Sequence, residues 1–132
     1  MPLAVVSTLP PETEAVVRRT IGCGIEVHRT LGPGYLESIC SQAMEIELRS
    51  QGLAFEREVS IIVPYKGHRI AGQRIDFIVE GRLILEIKSV ARLEPVFEAR
   101  LISYLRSTGL RAGLLMNFNA ALLKDGLKRI VV

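Results

Sequence analysis

Apolar positions change period along this chain. From Glu12 to about Leu31, the residues Val16, Val17, Thr20, Ile21, Gly24, Val27 and Leu31 recur three and four apart, which predicts a helix. Pro11 suits its first turn, and Gly32-Pro33-Gly34 stops it. A second helix is predicted from about Tyr35 to Ser50, with Leu36, Ile39, Ala43, Ile46 and Leu48 as its apolar side and Gly52 as its stop. The period then becomes two. Strands are predicted over Phe55–Val63, Ile75–Val79 and Leu83–Val90, with a turn at Tyr65-Lys66-Gly67-His68 and a tight one at Glu80-Gly81. Pro95 opens a third helix that runs to about Thr108, with Leu101, Ile102 and Leu105 as its stripe. Ala112–Phe118 reads as a buried strand and Leu127–Val132 as a further short one. Strand, helix 95–108 and strand have the length of a parallel crossover. The expected fold class is α/β, a mixed and mainly four-stranded sheet flanked by helices.

Composition narrows the field. At 132 residues the chain has the size of one domain, expected over 12–132 after a short tail at 1–11. Hydrophobic residues at 48% and charged residues at 23% exclude a disordered or collagen-like chain. Seventeen basic against fourteen acidic residues give a net charge of +3, which permits a polyanionic partner. Two cysteines and two histidines (Cys23, Cys40, His28, His68) show neither a disulfide framework nor zinc spacing. No apolar run is long enough for a membrane span, and the start does not resemble a signal peptide. A soluble, cytoplasmic protein with no membrane partner is expected.

The chemistry concentrates in Leu83-Ile84-Leu85-Glu86-Ile87-Lys88, where two charges interrupt an apolar strand. Glu86 and Lys88 project from the face of Ile84, and Leu85 and Ile87 from the other. A hairpin loop of Val79-Glu80-Gly81 would set Asp76 opposite Ile84, with Glu86 its diagonal neighbour at about 7–8 Å, whereas a strict two-residue loop would put the two carboxylates on opposite faces. Two carboxylates reaching across that gap suit a shared cation and, with a lysine, phosphodiester hydrolysis. The other reading is an exposed edge strand with Glu86 and Lys88 in water or paired with each other. Gly22-Cys23-Gly24 lacks the lysine of a phosphate loop and is read as a close helix contact. His28 suits a helix C-terminus, and His68 sits in a turn. Arg69, Arg74, Arg82, Arg92, Arg106 and Arg111 form either a phosphate-tracking surface or an ordinary solvated one.

Ordered blocks carry a further signal. They include Leu31-Gly32-Pro33-Gly34-Tyr35-Leu36-Glu37-Ser38, Tyr65-Lys66-Gly67, Arg74-Ile75-Asp76-Phe77, Leu85-Glu86-Ile87-Lys88-Ser89-Val90, Tyr104-Leu105, Thr108-Gly109-Leu110, Gly113-Leu114-Leu115 and Asn117-Phe118. With them the chain resembles the small proteins named for a GxxExxY motif, grouped with the PD-(D/E)xK nucleases, from about Glu14 to the C-terminus. The resemblance implies a restriction-endonuclease-like core and a Mg²⁺ or Mn²⁺ cofactor. It implies Asp76, Glu86 and the backbone carbonyl of Ile87 as metal ligands, Lys88 as catalytic lysine, and Glu37 as an added site carboxylate. DNA is the implied partner, RNA remains open, and related nucleases suggest a homodimer. Cys40 stands where the motif ends in tyrosine and is expected in the core. Arg100 stands where related nucleases carry glutamine, on one helix face with Tyr104. The pair either contacts nucleic acid, or Arg100 neutralises a site carboxylate and leaves a silent binding module.

Overall fold

A computed structural model of the chain describes residues 8–132. The tail expected over 1–11 lies mostly outside the described residues; within it Leu9 is buried in the core. Helix α1 (Pro11–Leu31) begins with proline in its first turn and ends where the Gly32 N–H donates to the His28 carbonyl at 2.8 Å. Helix α2 (Glu37–Ser50) follows, then the strands β1 (Phe55–Tyr65), β2 (His68–Val79) and β3 (Leu83–Lys88). Helix α3 (Pro95–Thr108) crosses to β4 (Ala112–Asn117), and a short 3-10 turn leads to β5 (Leu127–Val131).

The five strands form one sheet in chain order. The count corrects the mainly four-stranded expectation, because β5 pairs fully with β4 from Ala112↔Val131 to Met116↔Leu127. β3 and β4 are parallel and every other pair is antiparallel, as the crossover length predicts. The sheet separates two apolar layers. Leu85 and Ile87 pack with α1 and α2 through Val17, Val27, Met44 and Leu48. Ile84 packs on the opposite side with Leu101, Tyr104 and Leu105 of α3. Among the described residues, no helix is long and apolar enough to cross a membrane.

Helix α2 departs from its expected apolar side. Its buried face is Cys40, Ser41, Met44 and Leu48, while Leu36, Ile39 and Ile46 are exposed. Cys40, Met44 and Leu48 are spaced by four, one above another on the helix, and that row meets the sheet. On α3, Tyr104 replaces Ile102 as the third buried residue. Gly24 is the close contact expected of the glycine pair: a Cβ there would meet Met116 of β4, whereas Gly22 faces open space.

Candidate functional site

The β2–β3 hairpin sets the site. Its ladder pairs Val79↔Leu83, Ile78↔Ile84 and Phe77↔Leu85. The loop is therefore Glu80-Gly81-Arg82, one residue later than the expected Val79-Glu80-Gly81. The reason lies in the turn. Glu80 and Gly81 both have positive φ, 53° and 63°, and the Arg82 N–H donates to the Val79 carbonyl at 3.0 Å. Two such residues make a primed turn from Val79 to Arg82, and Arg82 stands as one extra residue beyond it, so that Val79 pairs with Leu83. The register then sets Asp76 directly across from Glu86, correcting the diagonal expected from the sequence.

Beyond Phe77↔Leu85, side chains replace the ladder. The Asp76 N–H donates to Glu86 Oε1 at 2.9 Å. The Ile87 N–H donates to Asp76 Oδ2 at 2.8 Å. Each carboxylate thus holds the opposite main chain at the point where the strands part. Glu86 is only 5% exposed. Burial first, and the neighbouring Asp76 charge second, push its pKa up to about 8; the Asp76 N–H and Lys88 act against that rise.

Lys88 is half-buried, and its Nζ lies 4.7 Å from the centre of the Phe97 ring on α3. Such a contact fixes an ammonium without consuming its charge in an ion pair. Glu37, exposed in the first turn of α2, has its pKa raised by partial burial and by Asp76, while Lys88 lowers it. A cleft of about 380 Å³ between α2 and β1 joins Glu37 to Asp76 and is also lined by Ser41 and Arg57. Among the described residues, no three His, Cys, Asp or Glu side chains stand close enough together to hold a metal ion. Glu37 therefore lies beside the Asp76–Glu86 pair without completing a three-carboxylate cluster.

Two expected residues sit differently. Tyr104 is 4% exposed, with its ring packed in the α3-side core. It lies within the fields of Glu86, Arg100 and Asp76, and its own burial chiefly raises its pKa. Arg100 is half-buried and forms no ion pair with Asp76 or Glu86. Of the six scattered arginines, Arg82 binds Thr13, Arg111 binds Thr8, Arg92 pairs with Glu94 and Arg74 with Glu58. Four of the six thus have partners within the chain. Ile87 contributes a buried backbone position between β2 and β4.

Three positioning residues lie outside the expected set. Asn117 ends β4 and clamps the segment after Lys88: its amide donates to the Val90 carbonyl and its Oδ1 accepts the Val90 N–H, both at 3.0 Å. The Ser89 hydroxyl donates to the Tyr35 carbonyl at 2.6 Å, tying the end of β3 to the loop that leads to Glu37. Arg57 lies 5.0 Å over the Phe77 ring and pairs with Glu45 at 3.3 Å. A polar Asn closing the apolar run Ala112–Met116 was the sequence signal for the clamp. Arg57 carried none, since an arginine in an alternating strand reads as solvated.

Neither a search of curated proteins nor one of solved structures returned a match. A protein-family model for the PD-(D/E)XK nuclease superfamily matches residues 14–130, nearly the whole chain and every residue of the hairpin just described. The chain belongs to the PD-(D/E)XK nuclease superfamily.

Proposed function

We propose that this chain is a divalent-metal-dependent nuclease that hydrolyses phosphodiester bonds of DNA, within the GxxExxY group of its superfamily. The observation that carries the reading is the reciprocal pairing of Asp76 and Glu86 where β2 and β3 part, with Lys88 two residues beyond Glu86 on the same strand. The group assignment rests on Gly34 and Glu37 at motif spacing, with Cys40 in place of the tyrosine and buried in the core.

The donor set suits Mg²⁺ or Mn²⁺. Two carboxylates at one point are hard oxygen ligands, and Mg²⁺ is commonly held by one or two of them, with waters and substrate phosphate filling the remaining positions. Burial first and the Asp76 charge second raise the Glu86 pKa, and a cation there would offset both. Asp76 and Glu86 would hold the ion, with the Ile87 carbonyl as a third donor. When bound, such an ion supplies Lewis acidity toward phosphoryl oxygens and acidifies its water.

The remaining work falls to the protein's own groups. Lys88 Nζ, seated on Phe97, places a positive charge where the phosphoryl group becomes more negative. Glu37, its pKa raised by partial burial, would support the site as a further carboxylate able to take up a proton. One such site cuts one strand, so cutting both strands of a duplex takes a second copy or a second encounter. The silent-module alternative needs Arg100 to neutralise a site carboxylate, and Arg100 pairs with neither.

The test is cleavage of linear and plasmid DNA with Mg²⁺ or Mn²⁺. Asp76→Asn keeps an oxygen to accept the Ile87 N–H and removes the charge. It and Lys88→Ala should each lose roughly a hundredfold or more in rate, as for removal of one charge-stabilising group. Equal rates in wild type and both variants would end the assignment.

A further inference from the structure

Strands β1 and β2 are 11 and 12 residues long, about twice the length of β3. Their distal halves leave the core: every residue from 62 to 74 is exposed. This segment is a two-stranded arm closed by Lys66-Gly67, with Tyr65↔His68 as its last pair. Positive φ at both turn residues, 46° and 80°, gives the primed turn that keeps the two strands paired to the tip.

The arm's charge has one sign. Between residues 59 and 75 there are Lys66, Arg69 and Arg74 and no Asp or Glu, in a chain that elsewhere mixes the two. Arg74 reaches back to Glu58 at 3.9 Å, in a pair exposed at both ends. Lys66 lies 5.5 Å over the Tyr65 ring at the tip.

The register also arranges these charges. Ile61 pairs with Gln73 and Val63 with Ile70, so β2 carries one extra residue at Ala71–Gly72, where Gly72 has φ 131°. Arg69 and Arg74 are five residues apart and would fall on opposite faces of a regular strand. With the bulge they pair with Pro64 and Ser60, which share one face of β1. Val63, Ile70 and Tyr65 take the other face.

The arm is aligned with the site. β2 runs without a break from His68 to Asp76, so the tip stands about 25 Å from the carboxylates along one strand. That length matches roughly seven base pairs of rise, less than one helical turn. A two-stranded ribbon fits the major groove of B-form DNA, about 12 Å wide, and is excluded from the deep, narrow groove of A-form RNA.

We infer that the β1–β2 arm is a docking element for double-stranded B-form DNA, laid in the major groove with Lys66, Arg69 and Arg74 toward the phosphates and the duplex led along β2 to the Asp76–Glu86 site. The inference rests on the nuclease reading for its polymer, and adds the duplex form and the element that grips it.

The experiment is fluorescence anisotropy with a labelled 20-base-pair DNA duplex in EDTA, so that binding is read without cleavage, across a series of salt concentrations. A Lys66→Ala/Arg69→Ala variant should bind roughly tenfold more weakly at moderate salt, with the log–log salt slope reduced in magnitude by about 1.8, or ~0.9 per lost phosphate contact. Both residues are exposed at the tip, so the variant should melt with the wild type. Duplex RNA of the same sequence should bind more weakly than DNA. Wild-type affinity and slope in the double variant, equal binding of duplex RNA, or no duplex binding by the wild type would each overturn the inference. So would a dimer in sedimentation equilibrium that Ile70→Asp dissociates while DNA binding stays unchanged, since the arm would then be covered by a second copy. Arm-dependent binding without cleavage would defeat the nuclease reading and leave the arm standing; cleavage with arm-independent binding would do the reverse.

Discussion

Asp76 and Glu86 each hold the other's strand: the Asp76 N–H donates to the Glu86 carboxylate, and the Asp76 carboxylate accepts the N–H of Ile87. The two side chains therefore do structural work before any ligand arrives, and the cost falls on Glu86, buried beside a like charge. Its pKa rises from 4.5 to about 8. A carboxyl that binds its proton more tightly when folded stabilises the fold fully below its unfolded pKa, and that contribution is lost as the pH climbs through the folded value. In EDTA the melting temperature should thus fall between about pH 4.5 and pH 8. Glu86→Gln, neutral throughout, should flatten that fall. Thermal melts of both proteins across this range check it; an equal slope in the variant would place the titration elsewhere.

Asn117 fixes the chain just beyond Lys88 through two hydrogen bonds to Val90. Asn117→Ala leaves the half-buried Val90 N–H without its partner, while the Val90 carbonyl keeps the Asn119 amide at 3.3 Å, and a backbone group left so costs about 1–3 kcal/mol. Chemical denaturation should show a loss of about 2 kcal/mol. Cleavage should weaken beyond that loss, measured well below the melting temperature, because Lys88 loses the clamp that follows it.

The glycines of α1 separate packing from propensity. Gly24 faces Met116 and Leu123 with no room for a methyl group, whereas Gly22 faces open space. Gly24→Ala should destabilise by about 1–3 kcal/mol through overpacking, less if Met116 swings aside. Gly22→Ala should stabilise by about 0.5–1 kcal/mol, since alanine holds a helix better. Urea titrations of both variants read the opposite signs.

Much of this was legible in the chain because it depends on local pattern. The limits of α1 and α3 are marked by Pro11, Gly32, Pro95 and Gly109, whose backbone chemistry acts within a residue or two. The opposite facing of Ile84 against Leu85 and Ile87 follows from strand geometry alone. The pairing of Asp76 with Glu86 was half legible: their shared location followed from two charges in an apolar hairpin, but their direct opposition depended on a turn that begins at Glu80, a non-glycine with positive φ. The face of α2 was misjudged because Leu36, Ile39 and Ile46 are apolar yet exposed, and apolar residues do occur on surfaces. Tyr104 looked like a surface partner for nucleic acid and is a core residue, since a phenol with its ring packed is as compatible with helical spacing as one in solvent. The turn at Tyr65–His68 and the return over Arg69–Gly72 were legible, but the continuous strand through the bulge at Ala71–Gly72 becomes visible only with the register.

The proposed chemistry turns on Asp76 and Glu86 forming one divalent-cation site. Isothermal titration of Mn²⁺ into the wild type, Asp76→Asn and Glu86→Gln, near pH 7 in two buffers of different ionisation enthalpy and with an uncleavable DNA duplex present, tests it most directly. The wild type should bind with release of a proton, because the ion displaces the one Glu86 retains, and both variants should lose that binding. Binding of equal strength in either variant, or none by the wild type on the duplex, would contradict it.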